Sequence, residues 1–346
     1  VEVRKEKILV ISMHPSSFVI KDIDILREKF QVKTLTHRNT KGVSFGLELI
    51  LFAFLTLVYN IRGYKKIFSV FADSHLVFSG VLSVLKMTEL SVVIGGYEVN
   101  TVPEINYGGT IKLWRASVIF FVLRRARHLL PVSDRLSEKC IKIRGQSDGV
   151  ITVFNGFDTK VLNVDAQVVR RPSSVLSVAG VSNERTFILK GFDKVIEFAR
   201  GNTRIEFTVA GVSDEARYLF PDLPNLKVIG FLSGHSLITC YQSHSYFLLS
   251  SISEGMPNVL CEAIFCGCTP IVTRAGNAPY IVGSDTLVME ESTLEVFNKT
   301  YAQAELMSTE EKTALRTRAN GLFDIKERKE KLIMIMSIKK LPFYRG

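Results

Sequence analysis

The chain has 346 residues, 47% of them apolar and 23% charged, with a formal net charge of +10. That length is too great for one ordinary core and predicts two domains, and the apolar share excludes a disordered chain. The five cysteines, at 140, 240, 261, 266 and 268, are odd in number and lack framework spacing, which argues for reduced thiols and against a disulfide scaffold. The charge is uneven: 23 lysines and arginines stand against 14 acids up to residue 160, and 21 against 20 after it. A basic first half favours an acidic partner such as anionic lipid, lipid-linked pyrophosphate or acidic glycan, and nothing recognisable as a nucleic-acid module accompanies it.

In chain order, VEVRKEKILVISM reads as a charged lead into a strand over Lys7–Met13 and not as a signal peptide, so a cytoplasmic location is expected. A loop around His14–Ser17 precedes a helix over Lys21–Phe30. Val32–Thr36, Lys66–Val70 and Ser91–Ile94 read as further strands. Phe45–Ile61 is 17 residues long and apolar except for Glu48, Thr56 and Asn60. It admits three readings: a buried helix, a helix inserted at a membrane surface, or a short span. Trp114–Leu130 sets Arg115, Arg124, Arg125, Arg127 and His128 beside an apolar patch. That pattern suits either a helix lying on an anionic membrane or a core helix with a basic end, and peripheral attachment to the inner membrane face is the preferred reading. His128–Val132 leads into a helix from Ser133 to Ile143, and Val150–Phe154 closes the first domain as a strand. Pro172 marks the linker, and the plan repeats from Val175. Such alternation predicts an α/β fold of parallel sheets with helices on both faces, whose ligands gather at the carboxyl ends of the strands.

The densest signal is SSISEGMPNVLCEAIFCGCTPIV, residues 250–272. Tyr246–Ser250 reads as a strand, Ser251–Gly255 as a turn, Asn258–Cys266 as a helix with Pro257 at its first position, and Thr269–Val272 as a strand. Glu254 then lies in the loop and Glu262 on the helix. Free N–H groups of Gly255, Met256, Asn258 and Val259, on either side of Pro257, with the helix dipole, would seat a diphosphate, while flanking carboxylates would accept hydrogen bonds from sugar hydroxyls. A phosphate group between two hydroxylated rings describes a nucleotide sugar. The plainer reading is that Glu254 caps a helix and Glu262 is solvated on it. Cys261, Cys266 and Cys268 follow one apolar helix and its exit, where cysteine serves as a small hydrophobe and not as a metal ligand.

SEGMPNVLCEA resembles the E-x7-E signature of retaining GT-B glycosyltransferases of family 4. SVLSVAGVSNERTFILKGFDKVIEFA (174–199) resembles that family's first donor-domain strand, phosphate loop and helix, and VITVFNGFD (150–158) its hand-over between domains. IEFTVAG (205–211), NLKVIGF (225–231) and VVIGGYEVNTVPEINYGG (92–109) resemble further family segments. The resemblance implies a GT-B architecture of two Rossmann-like doubly wound domains facing across a cleft. Residues 1–160 would bind the acceptor, 161–325 the nucleotide sugar, and 326–346 would form a helix crossing back to the first domain. It implies that Glu262 holds the ribose hydroxyls, Glu254 the sugar hydroxyls, Lys190 (with Arg185) the departing diphosphate, and Phe231 the nucleobase. Glu98 would occupy the neighbourhood where the family has a sugar-contacting histidine, and His14, Ser16 and His75 are candidates on the acceptor or sugar side. Each histidine reads equally as a loop or packing residue, Lys190 as a solvated helix residue and Phe231 as core. The implied partners are a UDP- or GDP-sugar and a glycan or lipid-linked acceptor, with no cofactor and no metal.

The chain departs from the family pattern in two places: Val181, not arginine, follows Gly180, and Tyr280 replaces an acid. These departures keep a non-catalytic scaffold of the same fold open, as well as another GT-B enzyme such as a nucleotide-sugar epimerase. Asp22-Ile23-Asp24 spells the D-x-D of metal-dependent GT-A enzymes but falls within an expected helix, so it reads as coincidence.

Overall fold

The computed structural model describes residues 5–13, 16–36, 43–165 and 167–338. The chain divides into two compact units, one of residues up to Asn155 together with those from Lys326 onward, the other Gly156–Ile325.

The first unit alternates strands β1 (Lys7–Ser12), β2 (Gln31–Thr36), β3 (Lys66–Val70), β4 (Glu89–Ile94) and β5 (His128–Pro131) with helices α1 (Ser17–Lys29), α2 (Val43–Ile61), α3 (Val77–Val84), α4 (Leu113–Arg125) and α5 (Asp134–Arg144). The strands pair in parallel in the order β2-β1-β3-β4-β5. The reason is visible in KILVIS, KIFSV and ELSVVI, near-continuous apolar runs of the kind that must be covered on both faces. Ile67, Leu90 and Val92 of the sheet pack with Phe52 of α2 and Ile119, Val122 and Leu123 of α4. Ser133 caps α5 by accepting from the Leu136 N–H (3.3 Å), and Gly145, with φ 83°, ends it.

Three expectations change here. Val150–Phe154 is not a strand but an extended segment bridged to Leu129, bonded through Ile151 N–H to the Leu129 carbonyl and Val153 N–H to the Pro131 carbonyl. Trp114–Leu130 is not one helix: Ala126 is extended, and β5 starts at His128, whose ring meets Ser91 Oγ at 3.1 Å. The Phe45–Ile61 run is helical, but only one face is covered. Phe52, Thr56 and Asn60 are buried, whereas Leu47, Ile50 and Phe54 are more than 60% exposed. No described helix is long and apolar enough to cross a membrane.

The second unit holds β6 (Arg171–Val181), α6 (Glu184–Leu189), α7 (Phe192–Gly201), β7 (Glu206–Val212), β8 (Leu226–Ile229), α8 (Gly234–Gln242), β9 (His244–Leu249), α9 (Asn258–Phe265), β10 (Thr269–Thr273), α10 (Ala278–Val282), β11 (Val288–Met289), α11 (Leu294–Leu306) and α12 (Thr309–Phe323). Its parallel sheet runs β11-β10-β9-β6-β7-β8. Phe198 of α7 stacks on Phe297 of α11, with ring centroids 4.5 Å apart.

The last helix, α13 (Ile325–Ser337), packs into the first unit. Arg328 Nε and Nη2 donate to the two Asp22 oxygens at 2.6 Å each, and Nη1 donates to the Val153 and Phe154 carbonyls. Both side chains are almost wholly buried, so removing either partner costs about 3–5 kcal/mol. The D-x-D spelling therefore lies inside α1, and its first acid is spent on this clasp.

Candidate functional site

Each sheet reverses its winding next to its first strand. In the second unit the chain runs β6, β7, β8 in one direction and then returns to lay β9 on the other side of β6. The loops leaving β6 and β9 diverge at such a switch point and open a crevice at the strand ends. The loop after β9 carries Glu254, and the one after β6 leads through α6 to Lys190.

The backbone fixes these loops. Ser250 Oγ donates to the Lys190 carbonyl (2.8 Å), Ile252 N–H to the Leu189 carbonyl (2.9 Å), and Thr273 Oγ1 to the Ser251 carbonyl (2.7 Å). Gly191, with φ 66°, lies against Ser250, where an added Cβ would stand 2.1 Å from the carbonyl oxygen. Gly276, with φ 53°, presses likewise on Glu254, its Cβ position 2.3 Å from that carbonyl. Only glycine fits either approach. The result is an ion pair: Lys190 Nζ donates to Glu254 Oε1 at 2.6 Å, with the side chains 25% and 13% exposed. Such a charge-assisted bond is among the stronger ones.

The expected helix stands as α9, but Pro257 is its N-cap and not its first residue. Leu260, Cys261, Ala263, Ile264 and Phe265 of α9 are buried, leaving Asn258, Val259 and Glu262 half-buried on its open side. Gly255, Met256 and Pro257 are buried beneath them. Glu262 Oε2 accepts from the Tyr241 hydroxyl at 3.0 Å. Tyr241, on α8, is wholly buried, and burial followed by the Glu262 charge raises its pKa well above the ordinary phenol value. It therefore stays a donor. Sequence reasoning missed Tyr241, whose surroundings (LITCYQS) carry no chemical signal.

The other donor-side candidates are dispersed. Arg185 is exposed on the first turn of α6, whose Asn183 forms a reciprocal cap with Thr186. Val181 is buried at the end of β6. Phe231, after β8, is 81% exposed, which overturns its reading as a core residue. Tyr280 lies near Arg318, whose guanidinium carbon is 5.3 Å from the ring centroid. A cavity of about 440 Å3 in this unit opens elsewhere, at the amino ends of β9 and β10 beside Arg170, Ser245 and Thr269, and contains none of these residues. The chemistry-bearing groups, not the cavity, define the candidate site.

In the first unit the reversal falls between β1 and β3. His14 lies outside the described residues. Ser16 is the N-cap residue of α1, its Oγ buried without a hydrogen-bond partner among the described residues. His75 is 4% exposed, its Nε2 3.5 Å from Ser69 Oγ. Glu98 is 1% exposed, and its carboxylate accepts the N–H groups of Ala72 (3.3 Å), Gly95 (3.3 Å) and Gly96 (2.9 Å). Burial raises its pKa, and those bonds oppose the rise. In this geometry Glu98 ties the loop after β4 to the loop after β3 and does not stand open to a ligand. Beside it, Arg115 of α4 donates through Nε to Asp73 (3.0 Å) and through Nη1 to the Tyr97 hydroxyl (2.9 Å). The sequence did not reveal this network, because its members lie 18 and 42 residues apart.

Among solved structures, Anabaena Alr3699/HepE in complex with UDP is similar (TM-score 0.73, 16% identity, covering 96% of this chain and 99% of that one). So is sucrose-phosphate synthase from Thermosynechococcus elongatus (TM-score 0.75, 14% identity, 96% and 98%). The lipopolysaccharide outer core galactosyltransferase WaaB in its apo form also matches (TM-score 0.68, 12% identity, 95% and 99%). The fold is GT-B. The model of the family described as Glycosyl transferases group 1 matches residues 174–303, a stretch of the GT-B chain that includes Lys190, Glu254 and Glu262. A comparison with curated proteins finds no match.

Proposed function

We propose that this chain is a retaining, metal-independent glycosyltransferase of family 4. It would move a hexose from a nucleoside-diphosphate sugar to a glycan or lipid-linked acceptor in the synthesis of a cell-surface polysaccharide or glycolipid. The observation that carries this reading is the Lys190–Glu254 pair at the β6/β9 reversal, beside a Glu262 held by Tyr241. A carboxylate held by a buried hydroxyl is oriented to accept from ribose hydroxyls, which is the role we give Glu262. Glu254 accepts from the donor sugar. Lys190 has three N–H bonds, so it can keep Glu254 and still meet a diphosphate oxygen, stabilising the charge that develops on the leaving group. With that cation in place no divalent metal is needed. Arg185 and the exposed ring of Phe231 complete the donor side, for the diphosphate and the nucleobase.

No residue serves as a nucleophile in this reading. The acceptor attacks from the face that the diphosphate leaves, and a diphosphate oxygen takes its proton. The acceptor is held by the first unit, which carries the excess positive charge. The enzyme works in the cytoplasm, at the inner membrane face. Buried Val181, where the family has an arginine, and Tyr280 in place of an acid favour a second reading, a scaffold without turnover.

Thermal stability with UDP, GDP, ADP and their sugar conjugates separates the two. A ligand at about 100 times its dissociation constant adds roughly 2.7 kcal/mol to the folded state. A shift with one nucleotide that Glu262→Ala abolishes supports the donor site, and the anomeric configuration of the product then tests retention. No shift with any nucleotide leaves the scaffold.

A further inference from the structure

Away from these loops, at the amino ends of β3, β4 and β5, the first unit has a rim of different character. A cavity of about 480 Å3 there is lined by Lys86, Arg124, Arg125, Arg127 and Arg144, with Glu89 as its acid. Glu89 is taken by Arg127 at 2.8 Å. Arg124 spends its Nε on the Ile143 carbonyl, and Arg144 has Nε and Nη1 buried with no hydrogen-bond partner among the described residues. Cationic N–H groups without an acceptor are costly unless an anion arrives. His128, just behind the rim, has its pKa lowered to about 4 by burial and then by Arg127, Arg144 and Lys66, which agrees with a strongly positive local field.

Beside the cations stand aliphatic side chains facing water. Val84, which lines the same cavity, is 48% exposed and Leu85 60%, at the end of α3. Ile61, at the end of α2, is 74% exposed. Helix α2, which packs next to α3, leaves Ile50 69% and Phe54 61% exposed.

We infer that this rim docks on an anionic lipid bilayer, with lipid phosphates entering the Arg124/Arg125/Arg144 cavity and Val84, Leu85 and these α2 side chains entering the headgroup–acyl boundary. Apolar side chains set among arginines are what such an interface selects, since neither hydrophobic entry nor charge alone holds a protein firmly. A second copy of this chain fits worse, because a two-fold contact through this rim would bring arginines against arginines. The inference rests on the membrane clause of the proposed function and on no part of the donor site, so the two fail separately.

The test is co-sedimentation of the full chain with vesicles of phosphatidylcholine alone or with phosphatidylglycerol added, at low salt. Binding is expected only with the acidic lipid, with release at high salt. Each arginine near such a surface contributes about 1 kcal/mol, so Arg124→Ala/Arg125→Ala should lower partitioning about 30-fold. Val84→Ser/Leu85→Ser should weaken it about tenfold through lost apolar entry. Both variants should keep the melting temperature and the nucleotide response of the parent. Ile50→Ser/Phe54→Ser is the second apolar variant if the α3 pair fails to fold. Wild type that ignores acidic vesicles, or variants that bind as well as it does, overturns the inference. So does a protein that dimerises without lipid and loses its dimer in the Leu85 variant.

Discussion

The two units use the same winding, and each has its reversal next to its first strand, yet they fill the crevice differently. In the second unit opposite charges meet in partly open side chains: Lys190 and Glu254 remain 25% and 13% exposed. In the first unit the loops after β4 and β3 turn their acids inward, Glu98 onto three backbone N–H groups and Asp73 onto Arg115. A half-open ion pair can exchange its partner for a ligand, whereas a carboxylate buried on backbone N–H groups holds a loop in shape. One topology can present charge or lock it away, depending on whether the loop acid finds donors in nearby backbone or in a neighbouring arginine.

The sharpest way to break this contrast is to remove the open cation. Lys190→Ala should lower kcat by about 10³, the usual cost of losing one preorganised donor at a developing negative charge. The melting temperature should change little, because the pair is part-exposed. Turnover that survives the substitution, measured with the nucleotide sugar identified by thermal shift, would make the pair a structural contact like those of the first unit.

A second test treats the units as equals. Among the described residues each holds a buried histidine whose pKa is lowered to about 4, by burial foremost: His128 in the first unit and His244 in the second. The unfolded chain titrates near 6.5, so it binds more protons than the folded one at intermediate pH. The stabilisation is complete above that value and is lost as pH falls from about 6.5 to about 4. Denaturant unfolding at pH 5 should show about 2 kcal/mol less stability per histidine than at pH 7. His128→Gln and His244→Gln should each remove one share of the pH dependence. If one unit alone responds, the burial of the two rings is not equivalent.

What was legible in the sequence follows from the range over which each signal acts. The parallel α/β plan could be read because KILVIS, KIFSV and ELSVVI are local apolar runs that need cover on both faces. Glu254 and Glu262 could be placed on a loop and a helix because strand, turn and helix signals lie within one 23-residue window. Tyr241 could not, since it reaches Glu262 across 21 residues and its own neighbours are merely apolar. Phe231 reads as core by residue type alone, and only the end of β8 decides that it faces water. The covered and bare sides of α2 were equally hidden. Its polar residues Glu48, Thr56 and Asn60 do not mark the solvent side, because Thr56 bonds its own helix at Phe52 and Asn60 bonds the Met87 carbonyl.

The smallest effects come from a matched pair of substitutions. Tyr241→Phe removes the hydroxyl that holds Glu262 and leaves the ring in place. A buried hydrogen bond to a charged group is worth about 1.5–3 kcal/mol, so nucleotide affinity should fall about tenfold and stability by a similar free energy. Tyr97→Phe makes the same change in the first unit, where the hydroxyl accepts from Arg115 on a half-buried ring. Arg115 keeps Asp73, so the loss should be about 0.5 kcal/mol, seen as a small drop in melting temperature with nucleotide affinity unchanged. Isothermal titration of both variants with the same nucleotide reads the difference directly. Equal loss of nucleotide affinity in the two would mean that the Asp73–Arg115–Tyr97 network acts on the donor and not on its own loop. The distinction between an open and a locked crevice would then have to be redrawn around Arg115, the member of that network that combines charge with exposure.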